Sequence, residues 1–262
     1  VLNVPGYSVW PLIGSIGAFL ITSSSVFWWH NGFSWLFLVS FFVVLGTMFF
    51  WWRDIVNEGF LGNHTVSFNS YLQSGIILFI LSEVVFFGSF FWGFFHMCWA
   101  PAEELGFCWP PYSFEEVIID PFSVPLLNTI ILLSSGVTVT ACHFFILVSE
   151  NNNNWFLGAV FWGVTIFLGV VFLFLQVEEY AESYLSFNSS VYGSAFFILT
   201  GFHGLHVTIG AIALSVVFFR FLTKSFSNFD HVGFEGAAWY WHFVDVVWLF
   251  LFIFVYWLGA PV

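Results

Sequence analysis

Two acids and a few histidines stand inside long apolar runs, and they are the residues of this chain best able to do chemistry. Glu83 lies in Leu81-Ser82-Glu83-Val84-Val85-Phe86-Phe87, and its helical neighbours are Phe79, Ile80, Phe86, Phe87 and Phe90. An apolar surrounding penalises the charged form of a carboxyl, and an ionisable group within a membrane marks a functional site by default. Two readings stand side by side: a protonatable functional acid, and a neutral carboxyl hydrogen-bonded to a facing helix or a lipid headgroup. Asp245 is the second such acid, in Trp239-Tyr240-Trp241-His242-Phe243-Val244-Asp245. His242 precedes it by three residues, so the two share a helix face. The pair can lock helix packing, the favoured reading, or relay protons. His203 and His206 are also three apart. Histidines on facing helices can ligate haem or a metal, and His143 and His242 supply partners for such a site. The favoured alternative is polar glue between helices, with Gly201, Gly204 and Thr208 allowing close approach.

These residues need elements that hold them in an apolar solvent, and the composition points to lipid. Of 262 residues, 60% are hydrophobic and 7% are charged, with 41 Phe and 15 Trp. A soluble domain carries about 25% charged residues, so this chain cannot cover a water-facing surface. About 20 apolar residues cross roughly 30 Å of hydrocarbon. By that measure the chain has seven helical spans, at approximately 10–30, 33–52, 71–98, 125–148, 155–177, 191–219 and 234–258. None of the eight prolines falls inside a span, and Pro11 and Pro125 sit where a first helical turn tolerates proline. The polar connectors are His30-Asn31-Gly32, 53–70, the proline-rich stretch from Pro101 to Pro121, Asn151 to Asn154, 178–190 and 220–232. Glu83, twelve residues after Tyr71, stands about 18 Å into its span, near the midplane.

Charge orients the spans. The net charge of -12 is local, because most acids sit in two connectors. Arg53, Arg220 and Lys224 are the only basic residues, and seven crossings put all three on one side. The positive-inside rule makes that side cytoplasm-like or matrix-like. The opposite side carries Glu103, Glu104, Glu115, Glu116, Asp120, Glu178, Glu179 and Glu182. Trp51-Trp52-Arg53-Asp54 reads as an interfacial anchor, and Arg220 ends the sixth span. Either arginine can hold a lipid phosphate or simply snorkel to the interface.

Several classes are excluded. No basic patch supports nucleic-acid binding. Cys98, Cys108 and Cys142 make neither CxxC nor zinc spacing, although a Cys98–Cys108 disulfide is admitted. Val1-Leu2-Asn3 opens without a basic segment and cleavage site, so no removable targeting peptide is expected. No internal repeat is visible, and the chain reads as a single membrane domain over 1–262.

The chain resembles subunit III of the haem–copper cytochrome c oxidases. The resemblance rests on ordered blocks: Trp51-Trp52-Arg53-Asp54, Phe79-Ile80-Leu81-Ser82-Glu83-Val84, Glu104-Leu105-Gly106-Phe107-Cys108-Trp109-Pro110-Pro111, Val124-Pro125-Leu126-Leu127-Asn128-Thr129, Gly201-Phe202-His203-Gly204-Leu205-His206, and Phe234-Glu235-Gly236-Ala237-Ala238-Trp239-Tyr240-Trp241-His242-Phe243-Val244-Asp245-Val246-Val247-Trp248. It covers about residues 10–258, and the compact length suits the mitochondrial form. One departure is a slightly shortened 53–70 connector.

The resemblance implies an all-α membrane protein, with a two-helix and a five-helix bundle flanking a V-shaped cleft that holds phospholipids. It implies a non-redox core subunit of the respiratory oxidase that oxidises cytochrome c, reduces oxygen to water and pumps protons. Haem a, haem a3 and copper then belong to partner subunits. The implied partners are subunits I and II, small accessory subunits, membrane lipids and a respiratory supercomplex. The implied role is to sustain stability and proton uptake of subunit I. The implied location is the mitochondrial inner membrane, N-terminus to the matrix and C-terminus to the intermembrane space. The family's carbodiimide-reactive glutamate falls on Glu83, and Trp52, Glu58, His64 and Arg220 fall at or near lipid-headgroup contacts. Two other readings stay open: a haem- or quinone-binding redox protein using His203, His206 and His242, and a proton transporter using Glu83 and Asp245. The sparse polar lining of the spans argues against an aqueous path.

Overall fold

The computed structural model describes residues 7–62, 64–111, 118–148, 152–223, 225–226 and 231–259. Lys224, Glu115 and Glu116 lie outside the described residues. The architecture is the expected one: among the described residues, seven helices are long and apolar enough to cross a membrane, and there are no strands. They are α1 (Trp10–Asn31), α2 (Trp35–Phe60), α3 (Val66–Trp99), α4 (Val124–Leu147), α5 (Asn152–Glu182), α6 (Val191–Leu222) and α7 (Val232–Phe250). Pro11 and Pro125 occupy the first turns of α1 and α4. Cys98, Cys108 and Cys142 are all free, so the disulfide admitted by the sequence is not formed.

Several helices outrun the spans read from hydropathy. The expected 53–70 connector is mostly helix, because α2 continues through Phe60 and α3 begins at Val66. Likewise α5 starts at Asn152 and continues to Glu182. The reason is geometric. Helices of 26 to 34 residues are about 39–51 Å long, whereas the hydrocarbon is roughly 30 Å thick. Their ends stand beyond it, where polar residues continue a helix freely.

The chain divides into two compact units, Val1–Tyr71 and Leu72–Val262. In the first, α1 and α2 form a hairpin. Gly32, at φ 83°, closes α1 by donating its N–H to the Trp28 carbonyl, and Ser34 caps α2. Gly17 lies against Val44, Ser24 and Ser40 hydroxyls meet at 2.9 Å, and the Trp10 indole N–H donates to Asp54 at 2.7 Å.

In the second unit α7 is the central helix. Half of its apolar window is buried, against 28% for α4 and α5 and 33% for α6. Its Trp241 is fully buried, and its indole N–H donates to Ser135 of α4 at 2.8 Å. The ring lies between Gly169 of α5 and Gly210 of α6, where an added Cβ would stand 2.6 Å and 3.0 Å from it. The indole N–H of Trp248 donates to Thr129 of α4, and that of Trp162 to the Leu214 carbonyl of α6. After Phe250 the chain continues as a π-helical stretch, Leu251–Trp257, in which the Leu258 N–H reaches back five residues to Ile253. Close approach is thus provided by Gly169 and Gly210, not by the Gly201 and Gly204 expected from the sequence. A Cβ on Gly204 would meet nothing within 4 Å, and one on Gly201 only Tyr180 at 4.0 Å.

The Trp241 seat makes a direct prediction. Gly169→Ala and Gly210→Ala are each expected to destabilise the bundle by about 1–3 kcal/mol, the usual cost of overpacking. Gly204→Ala is expected to leave it unchanged. Thermal unfolding in native membranes separates the two outcomes.

Candidate functional site

Glu83, near the middle of α3, meets His206, near the middle of α6. Glu83 Oε2 and His206 Nε2 are 3.0 Å apart, and their side chains are 22% and 9% exposed. Aromatic rings close the surroundings: Phe87 lies 4.9 Å from the His206 ring, Phe86 stands edge-on to Phe202, and Tyr240 stacks at 6.4 Å. The second imidazole nitrogen, Nδ1, is 2.6 Å from the Phe202 carbonyl. A carbonyl only accepts, so Nδ1 carries the hydrogen. Nε2 then either accepts a hydrogen from a protonated Glu83 or, as imidazolium, donates to its carboxylate. In both states one proton sits in the Glu83–His206 bond. The hydrogen-bonded reading of Glu83 and the glue reading of His206 therefore describe one contact.

His203, one turn away on α6, is also fully buried. Its Nε2–H donates to the Val244 carbonyl of α7 at 3.2 Å, and its ring packs against Phe172 and Trp248. Neither His203 nor His206 faces the other histidines named as possible haem partners. His143 instead meets His231, with their Nε2 atoms 3.3 Å apart.

Asp245 and His242 share a face of α7, as their spacing requires, but His242 Nδ1 and Asp245 Oδ2 are 3.9 Å apart. That is beyond hydrogen-bond reach. Asp245 is buried against Gly136, whose added Cβ would lie 2.8 Å from Oδ2. Both side chains line a groove of about 800 Å³ along α4 and α7, with Leu133, Gly136, Thr140 and Phe161. The expected lipid contacts fall on both units. Trp52 is exposed on α2, Glu58 is partly exposed on the same helix, and His64 stacks on Phe68 at 4.9 Å. Arg220 ends α6 in the second unit, its guanidinium 4.7 Å from the centre of the Phe226 ring.

One buried acid escaped sequence reasoning. Glu179 reads as one of the connector acids, yet it is buried in α5 and accepts from Tyr256 at 2.6 Å and from Gln176 at 3.2 Å. Gln176, three residues earlier on the same face, is the signal that could have revealed it. The Glu83–His206 contact also had a signal. Glu83 is 17 residues after Val66 and His206 is 15 after Val191, which puts both at mid-helix depth.

Comparison with known proteins agrees with this arrangement. The profile of a family described as Cytochrome c oxidase subunit III matches residues 3–260. The cytochrome c oxidase subunit 3 of Dugong dugon is 50% identical over 254 residues, covering 97% of this chain and 95% of the relative. That of Pelea capreolus is also 50% identical, and that of Litocranius walleri 49%, over the same shares.

The proton count at Glu83 predicts different outcomes for two variants. Glu83→Gln can still donate a hydrogen to His206 Nε2 and is expected to keep near-native stability. Glu83→Ala strands that nitrogen and is expected to cost about 1–3 kcal/mol. Equal losses in thermal unfolding would show instead that the bond depends on charge.

Proposed function

The chain belongs to the cytochrome c oxidase subunit III family, and we propose that it is a core subunit with no redox centre of its own. Membership makes it part of an oxidoreductase complex of a respiratory membrane. In the proposed setting, the mitochondrial inner membrane, that complex oxidises cytochrome c, reduces oxygen to water and pumps protons. Subunit I carries haem a, haem a3 and copper, subunit II carries further copper, and small accessory subunits and a supercomplex surround them. The positive-inside rule puts the N-terminus in the matrix and the C-terminus in the intermembrane space.

The observation that carries the role is how the intramembrane polar groups are used. His203 is bonded to Val244, and His206 to Phe202 and Glu83. The nitrogens that an iron would need are engaged in joining helices, which supports a non-redox subunit over a haem or quinone protein. The Glu83–His206 bond keeps one proton at mid-membrane beside an apolar surface, which supports a part in proton uptake by subunit I. Arg220 and Trp52 hold phospholipid at the headgroup level, with Glu58 and His64 near Trp52 on the chain.

Two measurements test this reading. Affinity isolation of the tagged chain is expected to bring down haem-bearing partners, and the chain separated from them is expected to show no Soret band. A Soret band on the separated chain would overturn the non-redox assignment. Phospholipid phosphorus per complex is expected to fall by about one in Arg220→Leu. An unchanged value would remove Arg220 from the lipid contacts.

A further inference from the structure

At one end of the second unit, three side chains from α4 and α7 turn metal-ligating atoms toward one point. His143 stands near the end of α4, His231 at the cap of α7, and Glu235 in the first turn of α7. His143 Nε2 and His231 Nε2 are 3.3 Å apart, and His231 Nε2 and Glu235 Oε1 are 3.6 Å apart. All three ligand atoms lie within 4.8 Å of one another. Ligand bonds of 2.0–2.2 Å in tetrahedral geometry put neighbouring ligand atoms roughly 3.3–3.5 Å apart. The spacing is that of a coordination shell.

The contacts are less well explained as hydrogen bonds alone. A ring nitrogen carries at most one hydrogen, yet His231 Nε2 faces both an imidazole nitrogen and a carboxylate oxygen. A single N–H cannot point squarely at both, whereas one cation between them satisfies all three lone pairs. The carboxylate is also held in place from outside. Gln73, from α3, donates to Glu235 Oε2 at 2.7 Å and leaves Oε1 toward the histidines. Such an outer partner is what orients a ligating carboxylate in metal sites. The side chains of His231 and Glu235 are only 9% and 19% exposed, so the pair is largely desolvated. The positive N-terminus of α7 opposes a cation here, and the Glu235 charge offsets it.

We propose that His143, His231 and Glu235 form a divalent-cation site that ties α4 to α7, with Gln73 as the positioning residue for Glu235. Two imidazoles and one carboxylate select a borderline metal of the Zn²⁺ type over Ca²⁺ or Mg²⁺, which take all-oxygen shells. The fourth position is open to water. The inference rests on the geometry of this chain and not on the role assigned above.

The test uses the assembled oxidase complex, washed with chelator and then equilibrated with Zn²⁺ alone. The wild-type complex is expected to bind one Zn²⁺ more than complexes carrying His231→Gln or Glu235→Gln, compared at equal haem content. Gln73→Leu is expected to keep the site but weaken it by about 10–100-fold. Equal stoichiometry and affinity in wild type and His231→Gln would overturn the proposal. Zinc-edge anomalous density in the wild-type complex keeps the test decisive if a variant fails to assemble. A peak bonded to the three named atoms is expected, and its absence at saturating Zn²⁺ would equally overturn the site.

Discussion

The indole of Trp241 needs a volume that only glycine leaves free, and the five-helix unit is arranged around that need. Gly169 and Gly210 let α5 and α6 close on the two sides of the ring, and Ser135 of α4 takes its N–H. Hydrocarbon gives helices no hydrophobic reason to associate, so packing and interhelical hydrogen bonds must do it. Trp241 supplies both at once. It makes α7 the axis on which the other polar contacts depend: Val244 presents its carbonyl to His203, Tyr240 stacks on His206, and Glu235 is reached by Gln73. A shift of α7 would disturb all three.

The same solvent explains where the polar side chains are. A hydroxyl or amide with no water nearby must bond within the protein. Thr138 meets Thr165, Tyr180 donates to Thr200, and Trp248 donates to Thr129. Each joins two helices at a contact of modest strength, about 0.6–2 kcal/mol. The Glu83–His206 bond belongs to this set by geometry. It differs in chemistry, because its proton has two places to reside.

What the sequence disclosed follows the reach of each signal. Hydropathy located the helices, since transfer into lipid is a local property of about 20 residues. It misjudged their ends at Phe60, Val66 and Glu182, because a helix does not stop where hydrocarbon stops. Spacing put His242 and Asp245 on one face but could not show that they stop 3.9 Å apart. The partners of Glu83 and Trp241 lie 123 and 106 residues away, beyond any local pattern. Glycine spacing along α6 pointed to Gly201 and Gly204. The close approach occurs at Gly210, where the opposing side chain happens to be a tryptophan.

The π-helical stretch that ends α7 has a consequence for insertion and deletion. A π turn accommodates about one more residue than the α turn it replaces. The backbone from Leu251 to Trp257 therefore carries a residue that an ordinary helix of the same rise would not contain. That extra residue sets the azimuth of everything after it. Tyr256 reaches Glu179 and Phe196 because of it. A lineage that lost one residue within this segment would regain a regular helix, and Tyr256 would swing by about 100°, away from the acid it now covers.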